Sequence, residues 1–224
     1  MNSVLLIHGG LWEDVGADWF WRRTGVIDGL AGRGLTVVAP DRLRRAASWT
    51  AEAAQLASAP GVSGLTALGR LSRLSGGSGG SVGSVTVVGG SFGCAVAVRL
   101  ALDFPGLVGR LVLAWPASLS DPSVATRIRS GLSGLGAPPA VLDALLGTGT
   151  LPSAADDALR ALTVPVAVIP SVPPNPLHPR SAVSALLRLL PSAVELPGCP
   201  EAPRPEFAPC LETFIDAVTV FASG

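Results

Sequence analysis

The chain has 224 residues, 16 basic and 16 acidic, so its formal charge is zero, and charged residues make up only 14%. All sixteen basic residues are Arg, Tyr is absent, and the only histidines are His8 and His178. A neutral, charge-poor chain excludes electrostatic nucleic-acid binding, 48% hydrophobic residues exclude disorder, and the length fits one domain with a sizeable core spanning 1–224.

The N-terminus, MNSVLLIHGG, carries no basic leader and no small-residue cleavage site, and it runs directly into a strand. No uninterrupted apolar run approaches the roughly 18–20 residues of a membrane span. These features predict a soluble, cytoplasmic protein whose partner is a small molecule, not a nucleic acid or a membrane. Strands are predicted at Val4–Ile7, Leu35–Val38, Val85–Val88, Leu111–Ala114, Val164–Ile169 and Ala193–Leu196. Their near-continuous hydrophobicity suits strands buried on both faces of a parallel sheet.

Helical signals lie between them. Gly93–Phe104 is small and apolar and stops at Pro105. Asp121–Pro122 reads as an N-cap with Pro at the first helical position. Ser153 and Asp156 have the spacing of a capping box before Ala158–Leu162. Arg180–Leu190 is bounded by prolines, and Leu211, Phe214, Ile215, Val218 and Phe221 recur at helical spacing. The pattern predicts an α/β fold, a doubly wound, mainly parallel six-stranded sheet with helices on both faces. Two stretches break it. Ser72–Ser84 (SRLSGGSGGSVGS) reads as a mobile Gly/Ser-rich loop, and 117–163, too long for one crossover helix, reads as a small helical lid. Cys94, Cys199 and Cys210 are too few and too irregular for a disulfide scaffold; Cys199 and Cys210 either pair or stay as buried thiols.

The chemistry concentrates in Val85–Leu102. A buried strand enters Gly89-Gly90-Ser91-Phe92-Gly93 and leaves as a helix, which is G-x-S-x-G in its required strand–turn–helix context. Such a turn thrusts Ser91 out at the carboxyl end of the sheet, where a helix N-terminus favours developing negative charge. The first strand ends in His8-Gly9-Gly10, a loop that offers backbone N–H groups beside the serine. Phe92 N–H with one from Gly10 or Leu11 would form an oxyanion hole. No phosphate loop, dinucleotide fingerprint or metal-spaced His/Cys/Asp cluster is present, so no cofactor and no metal are expected.

With the elbow, the His-Gly-Gly strand, Ala39-Pro40-Asp41 and Phe104-Pro105-Gly106-Leu107-Val108, the chain resembles the α/β-hydrolase superfamily over nearly its whole length, as a compact version lacking the usual first strands. The resemblance implies a Ser–His–Asp/Glu triad, with the acid after the next-to-last strand and the His after the last. Both positions depart from the pattern. Asn175 stands where the acid belongs and Glu201 where the His belongs, and no histidine follows His178. The base for Ser91 is then Glu201, which would need desolvation to work near neutrality, or His178, three residues past the acid position. Asn175 would hydrogen-bond Glu201 or the substrate. His8 would orient the oxyanion loop or touch substrate, and Trp12 and Trp115 would line a pocket for an apolar ligand. Three functions stay open: a serine hydrolase of the esterase or acyl-transfer type, a non-hydrolytic cyclase, isomerase or lyase using Glu201 as acid/base, and a catalytically silent ligand-binding protein.

Overall fold

A computed structural model of the chain describes residues 2–65 and 85–224; the expectation for Ser72–Ser84 lies outside them. The six apolar runs all form strands, β1 (Ser3–Ile7), β2 (Thr36–Val38), β3 (Val85–Gly90), β4 (Val108–Ala114), β5 (Val166–Ile169) and β6 (Ala193–Glu195). They join one sheet in the order β2-β1-β3-β4-β5-β6, with every neighbouring pair parallel. β1, β3 and β5 are buried along almost their whole length, because side chains on both faces meet helices. β2 and β6 are three-residue edge strands, and β6 is half exposed, with Val194 49% accessible. Short edges leave little unpaired backbone for another chain to join.

The pleat sorts alternate side chains into two cores. Leu5, Ile7, Val87, Leu111, Leu113 and Val168 face α2 (Trp49–Ser58), α3 (Gly93–Asp103) and α7 (Arg180–Leu189). Val4, Leu6, Val88, Val112, Ala114 and Ile169 face α1 (Val26–Gly32) and α8 (Leu211–Ser223). The final helix docks through Phe214, Ile215, Val218 and Ala222, with Phe221 at its edge.

Residues 117–163 hold α4 (Pro122–Gly134), α5 (Pro139–Leu145) and α6 (Asp156–Arg160). Asp121 caps α4 as its sequence predicts, accepting from Ser123 N at 2.8 Å. The capping box before α6 does not form. Residues 151–154 fold back on themselves, with Leu151 bridged to Ala154, so Ser153 turns inward and Asp156 instead accepts from Thr150 N at 2.9 Å. Among the described residues no helix is long and apolar enough to cross a membrane.

The chain leaves β1 toward one edge and returns to β3 on its other side. Ligands of open α/β sheets bind where the strand order reverses, outside the carboxyl ends of the strands. Here those ends carry the His8-Gly9-Gly10 loop and Ser91.

Candidate active site

At the turn from β3 to α3, Ser91 sits at φ 54°, in the left-handed region that side chains other than glycine rarely occupy. Such backbone strain is typically worth about 1–3 kcal/mol and persists only when the surroundings fix it. Here Ser91 N donates to Ala114 O at 2.9 Å, and Cys94 N donates back to Ser91 O at 3.0 Å. Two glycines make the turn possible through close approach. A Cβ on Gly89 would lie 2.5 Å from Gly93 O, and one on Gly93 would lie 2.7 Å from His8 O. The elbow therefore packs directly on the end of β1, and a Cβ on Gly9 would come 3.1 Å from Ser91 Cβ. The N–H groups of Phe92, Gly10 and Leu11 have no hydrogen-bond partner among the described residues. They are the donors that an oxyanion hole needs.

Ser91 meets a histidine from the other end of the chain. Its Oγ lies 2.9 Å from His178 Nε2, and His178 Nδ1 lies 2.7 Å from Glu201 Oε1. The carboxylate can only accept, so Nδ1 carries the proton and donates to Glu201, and Nε2 accepts from the Ser91 hydroxyl. All three side chains are buried. The two loops that bring His178 and Glu201 together are stitched side by side beyond the sheet. Ser171 bridges Cys199, Val172 N donates to Cys199 O at 3.1 Å, and Cys199 N donates to Pro170 O at 3.2 Å.

Glu201 has further partners. Asn175 Nδ2 donates to Oε1 at 2.6 Å, Ser171 Oγ donates to it at 3.1 Å, and Arg204 Nε pairs with Oε2 at 2.8 Å. Burial pushes this carboxyl up. The hydrogen bonds from His178, its own backbone N–H and Ser171, with the His178 charge, outweigh burial and hold it down at about 2. Asn175 also accepts from Leu177 N and His178 N through Oδ1, both at 3.0 Å, so one side chain fixes the turn that presents the imidazole.

Of the two candidates left open by the sequence, His178 is the one that touches the serine, and Glu201 lies behind its ring. The exchange is topological. The histidine comes from the loop after β5, where the superfamily pattern has its acid, and the acid comes from the loop after β6, where the pattern has its histidine. The vacancy read from the sequence holds for each position but not for the assembled site.

Two pocket expectations need correction, those for Trp115 and for a substrate contact by His8. Trp115 is fully buried, stacked on Phe214 with centroids 5.4 Å apart, and its Nε1 donates to Cys199 O at 2.9 Å; it is core that braces the Glu201 loop, not a pocket wall. His8 is closed to substrate, because Nδ1 donates to Gly9 O at 2.8 Å and Nε2 accepts from Arg42 N at 3.0 Å. Burial and the nearby Arg42 charge lower it to about 4, so its ring is neutral near pH 7. Trp12 is half buried, with its N–H donated to Ala46 O at 2.9 Å and Arg45 5.6 Å above its ring. Cys94, Cys199 and Cys210 are all free thiols.

Sequence reasoning missed Arg42, Glu52, Ser171 and Arg204. Only Glu52 left a signal, as an acid on the helix face that also carries Trp49, Ala53 and Leu56.

Solved structures match the chain along its length. One is a meta-cleavage product hydrolase (CumD) from Pseudomonas fluorescens complexed with acetates, 18% identical over 100% of this chain and 91% of that one, with a TM-score of 0.64. The chain has the α/β-hydrolase fold. NosK from Streptomyces actuosus matches at 21% identity over 100% of this chain and 99% of its own, TM-score 0.60. A thermophilic esterase from Thermogutta terrifontis, malate bound, matches at 20% identity over 100% and 89%, TM-score 0.59. No protein-family model and no curated protein matches the sequence.

Proposed function

We propose that this α/β-hydrolase-fold chain is a serine hydrolase that cleaves carboxylic esters through an acyl-enzyme. The observation that carries the reading is the continuous Ser91–His178–Glu201 chain at 2.9 and 2.7 Å. Ser91 Oγ attacks the acyl carbon while His178 Nε2 takes its proton. The charge that forms on the acyl oxygen faces the N–H groups of Phe92 and of Gly10 or Leu11. The imidazolium, steadied by Glu201, gives its proton to the leaving alkoxide, and the alcohol departs. Water then attacks the acyl-enzyme, His178 takes one of its protons and returns it to Ser91, and the acid is released.

Glu201 acts as the orienting carboxylate. An independent acid/base role for Glu201, as in a cyclase or isomerase, is less well supported, because Oε1 already receives His178, Asn175 and Ser171 and Oε2 pairs with Arg204. A catalytically silent protein would have no reason to hold Ser91 in a strained turn against an imidazole. The substrate's acyl portion is apolar in this reading, since Phe92 directly follows the serine, Leu11 directly follows the Gly9-Gly10 loop, and Phe92 stacks on Trp49 at 6.3 Å. Residues 117–163 would cover it. Ser118 N donates to Leu177 O next to His178, and Leu145 O accepts from Trp49 Nε1, so the segment is tied to both sides of the site.

The test is labelling with a fluorophosphonate and turnover of p-nitrophenyl acetate and butyrate at pH 8. Wild-type protein is expected to do both and Ser91→Ala neither. Wild-type protein that neither labels nor turns over either ester would overturn the proposal.

A further inference from the structure

Beneath the His-Gly-Gly loop lies a buried ion pair that the triad does not use. Arg42 Nε donates to Glu52 Oε1 at 2.8 Å and Nη2 donates to Oε2 at 3.1 Å, with both side chains almost wholly shielded. A two-pronged pair of this kind fixes the guanidinium plane. The remaining prong, Nη1, points at the loop. It donates to three successive carbonyls, His8 O at 2.8 Å, Gly9 O at 3.1 Å and Gly10 O at 2.8 Å. The backbone N–H of Arg42 meanwhile donates to His8 Nε2.

Peptide units are planar, and in the trans form C=O and N–H point in opposite directions. The only cis peptide among the described residues is Val172-Pro173. The carbonyl of Gly9 belongs to the same unit as Gly10 N–H, and the carbonyl of Gly10 to the same unit as Leu11 N–H. Drawing both carbonyls onto Nη1 turns both N–H groups away from it, and neither has another partner among the described residues. A cation on the oxygen end of an amide also polarises the unit, which makes its N–H a stronger donor. Gly10 sits at φ 80°, a conformation glycine adopts without strain, so the loop can present three carbonyls to one nitrogen.

We propose that Arg42, held by Glu52, is the positioning residue of the oxyanion hole: it sets and polarises the Gly10 and Leu11 amides through their carbonyls without touching substrate. This rests on the serine-hydrolase reading and adds to it a residue pair that acts on the transition state. Charge on the acyl oxygen grows only as the tetrahedral intermediate forms, so the pair affects kcat more than KM.

Glu52→Gln keeps shape and one acceptor but removes the charge that anchors the fork; Arg42→Lys keeps a cation that cannot span both Glu52 and the three carbonyls. Steady-state turnover of p-nitrophenyl acetate, the inhibition constant of a phenylboronic acid that forms a tetrahedral adduct on Ser91, and thermal melting are measured on each. The expected result is a fall in kcat of about 10- to 100-fold, below the 10²–10³ typical of deleting one oxyanion donor outright, with KM within about threefold. Boronate affinity should weaken by a similar factor in protein that is still folded at the assay temperature. Folded variants with wild-type kcat and boronate affinity would overturn the inference and leave the hydrolase reading intact; inactive, unlabelled wild-type protein would instead defeat that reading. If neither variant folds, wild-type protein labelled with ¹⁵N-arginine decides. The Arg42 Nη1 protons are expected to shift when the boronate adduct forms, and unmoved protons contradict the proposal.

Discussion

The two halves of the candidate site are encoded differently. On the nucleophile side, Gly89 to Gly93 and His8 to Gly10 are contiguous segments whose sequences announce their turns: glycines where a Cβ would collide, a serine at φ 54° and free amides around it. On the acid–base side, Asn175, His178, Glu201 and Arg204 lie on two loops, and nothing local to either loop dictates that they meet. What joins them is the pairing of residues 170–172 with Cys199 beyond the end of the sheet. Local chemistry thus makes the nucleophile side legible, while tertiary pairing allows the acid–base side to exchange its members between loops and keep the same chain of hydrogen bonds.

This contrast can be broken most forcefully at the triad. Ser91→Ala and His178→Ala are each expected to lower kcat for p-nitrophenyl esters by about 10⁴–10⁶-fold, and the double variant by hardly more, because the two act as a unit. Glu201→Gln is expected to cost about 10³–10⁴-fold, since the imidazole then loses its orienting charge and its tautomer. Equal, additive losses would mean that the two halves are independent.

Trp115 joins the halves. Its backbone N donates to Ile169 O at 2.7 Å, and its indole donates to Cys199 O, two residues before Glu201. Trp115→Ala should destabilise the fold by about 3–5 kcal/mol in urea unfolding. Gly93→Ala drives a methyl group into the end of β1 and is expected to cost about 1–3 kcal/mol by the same measurement. It should also slow Ser91 labelling, because the His-Gly-Gly loop must move.

The pH dependence of stability separates the halves as well. His8 is lowered to about 4, so the unfolded chain binds the extra proton first as pH falls. Its contribution is complete above about 6.5 and is lost progressively between there and about 4. Glu201, lowered from 4.5 to about 2, contributes fully above 4.5 and loses that contribution between 4.5 and about 2. Melting temperature measured from pH 8 to pH 3 should therefore fall in two stages, with His8→Gln flattening the upper one and Glu201→Gln the lower. The smallest effect belongs to residues 117–163, where Asp121→Ala should cost about 1 kcal/mol through loss of the α4 cap.

The strands, α3, α8, the α4 cap, the tight turn at Ser91 and the glycine loop after β1 could be read from the sequence because each rests on a pattern within a few residues. The edge character of β6 could not, since its apolar residues resemble those of a buried strand and only the neighbouring elements decide exposure. The lost capping box before α6 was hidden for the same reason: Ser153 has the right spacing, but the Leu151–Ala154 bridge turns it inward. His178 was visible as one of two candidate bases, but the sequence could not choose between it and Glu201, because its position in the chain is the acid's in the superfamily pattern and only the tertiary pairing places its ring on Ser91. Arg42 was invisible because its partners are carbonyls, which every residue has.

The central claim is that His178 is the base and Glu201 its orienting acid, in loops exchanged from the usual order. The most direct test is the second-order rate of Ser91 phosphonylation at pH 8 in wild-type, His178→Ala and Glu201→Gln proteins, with folding confirmed by melting. The account predicts near-complete loss in His178→Ala and a smaller, measurable residual rate in Glu201→Gln. Wild-type labelling in His178→Ala, together with none in Glu201→Gln, would contradict it.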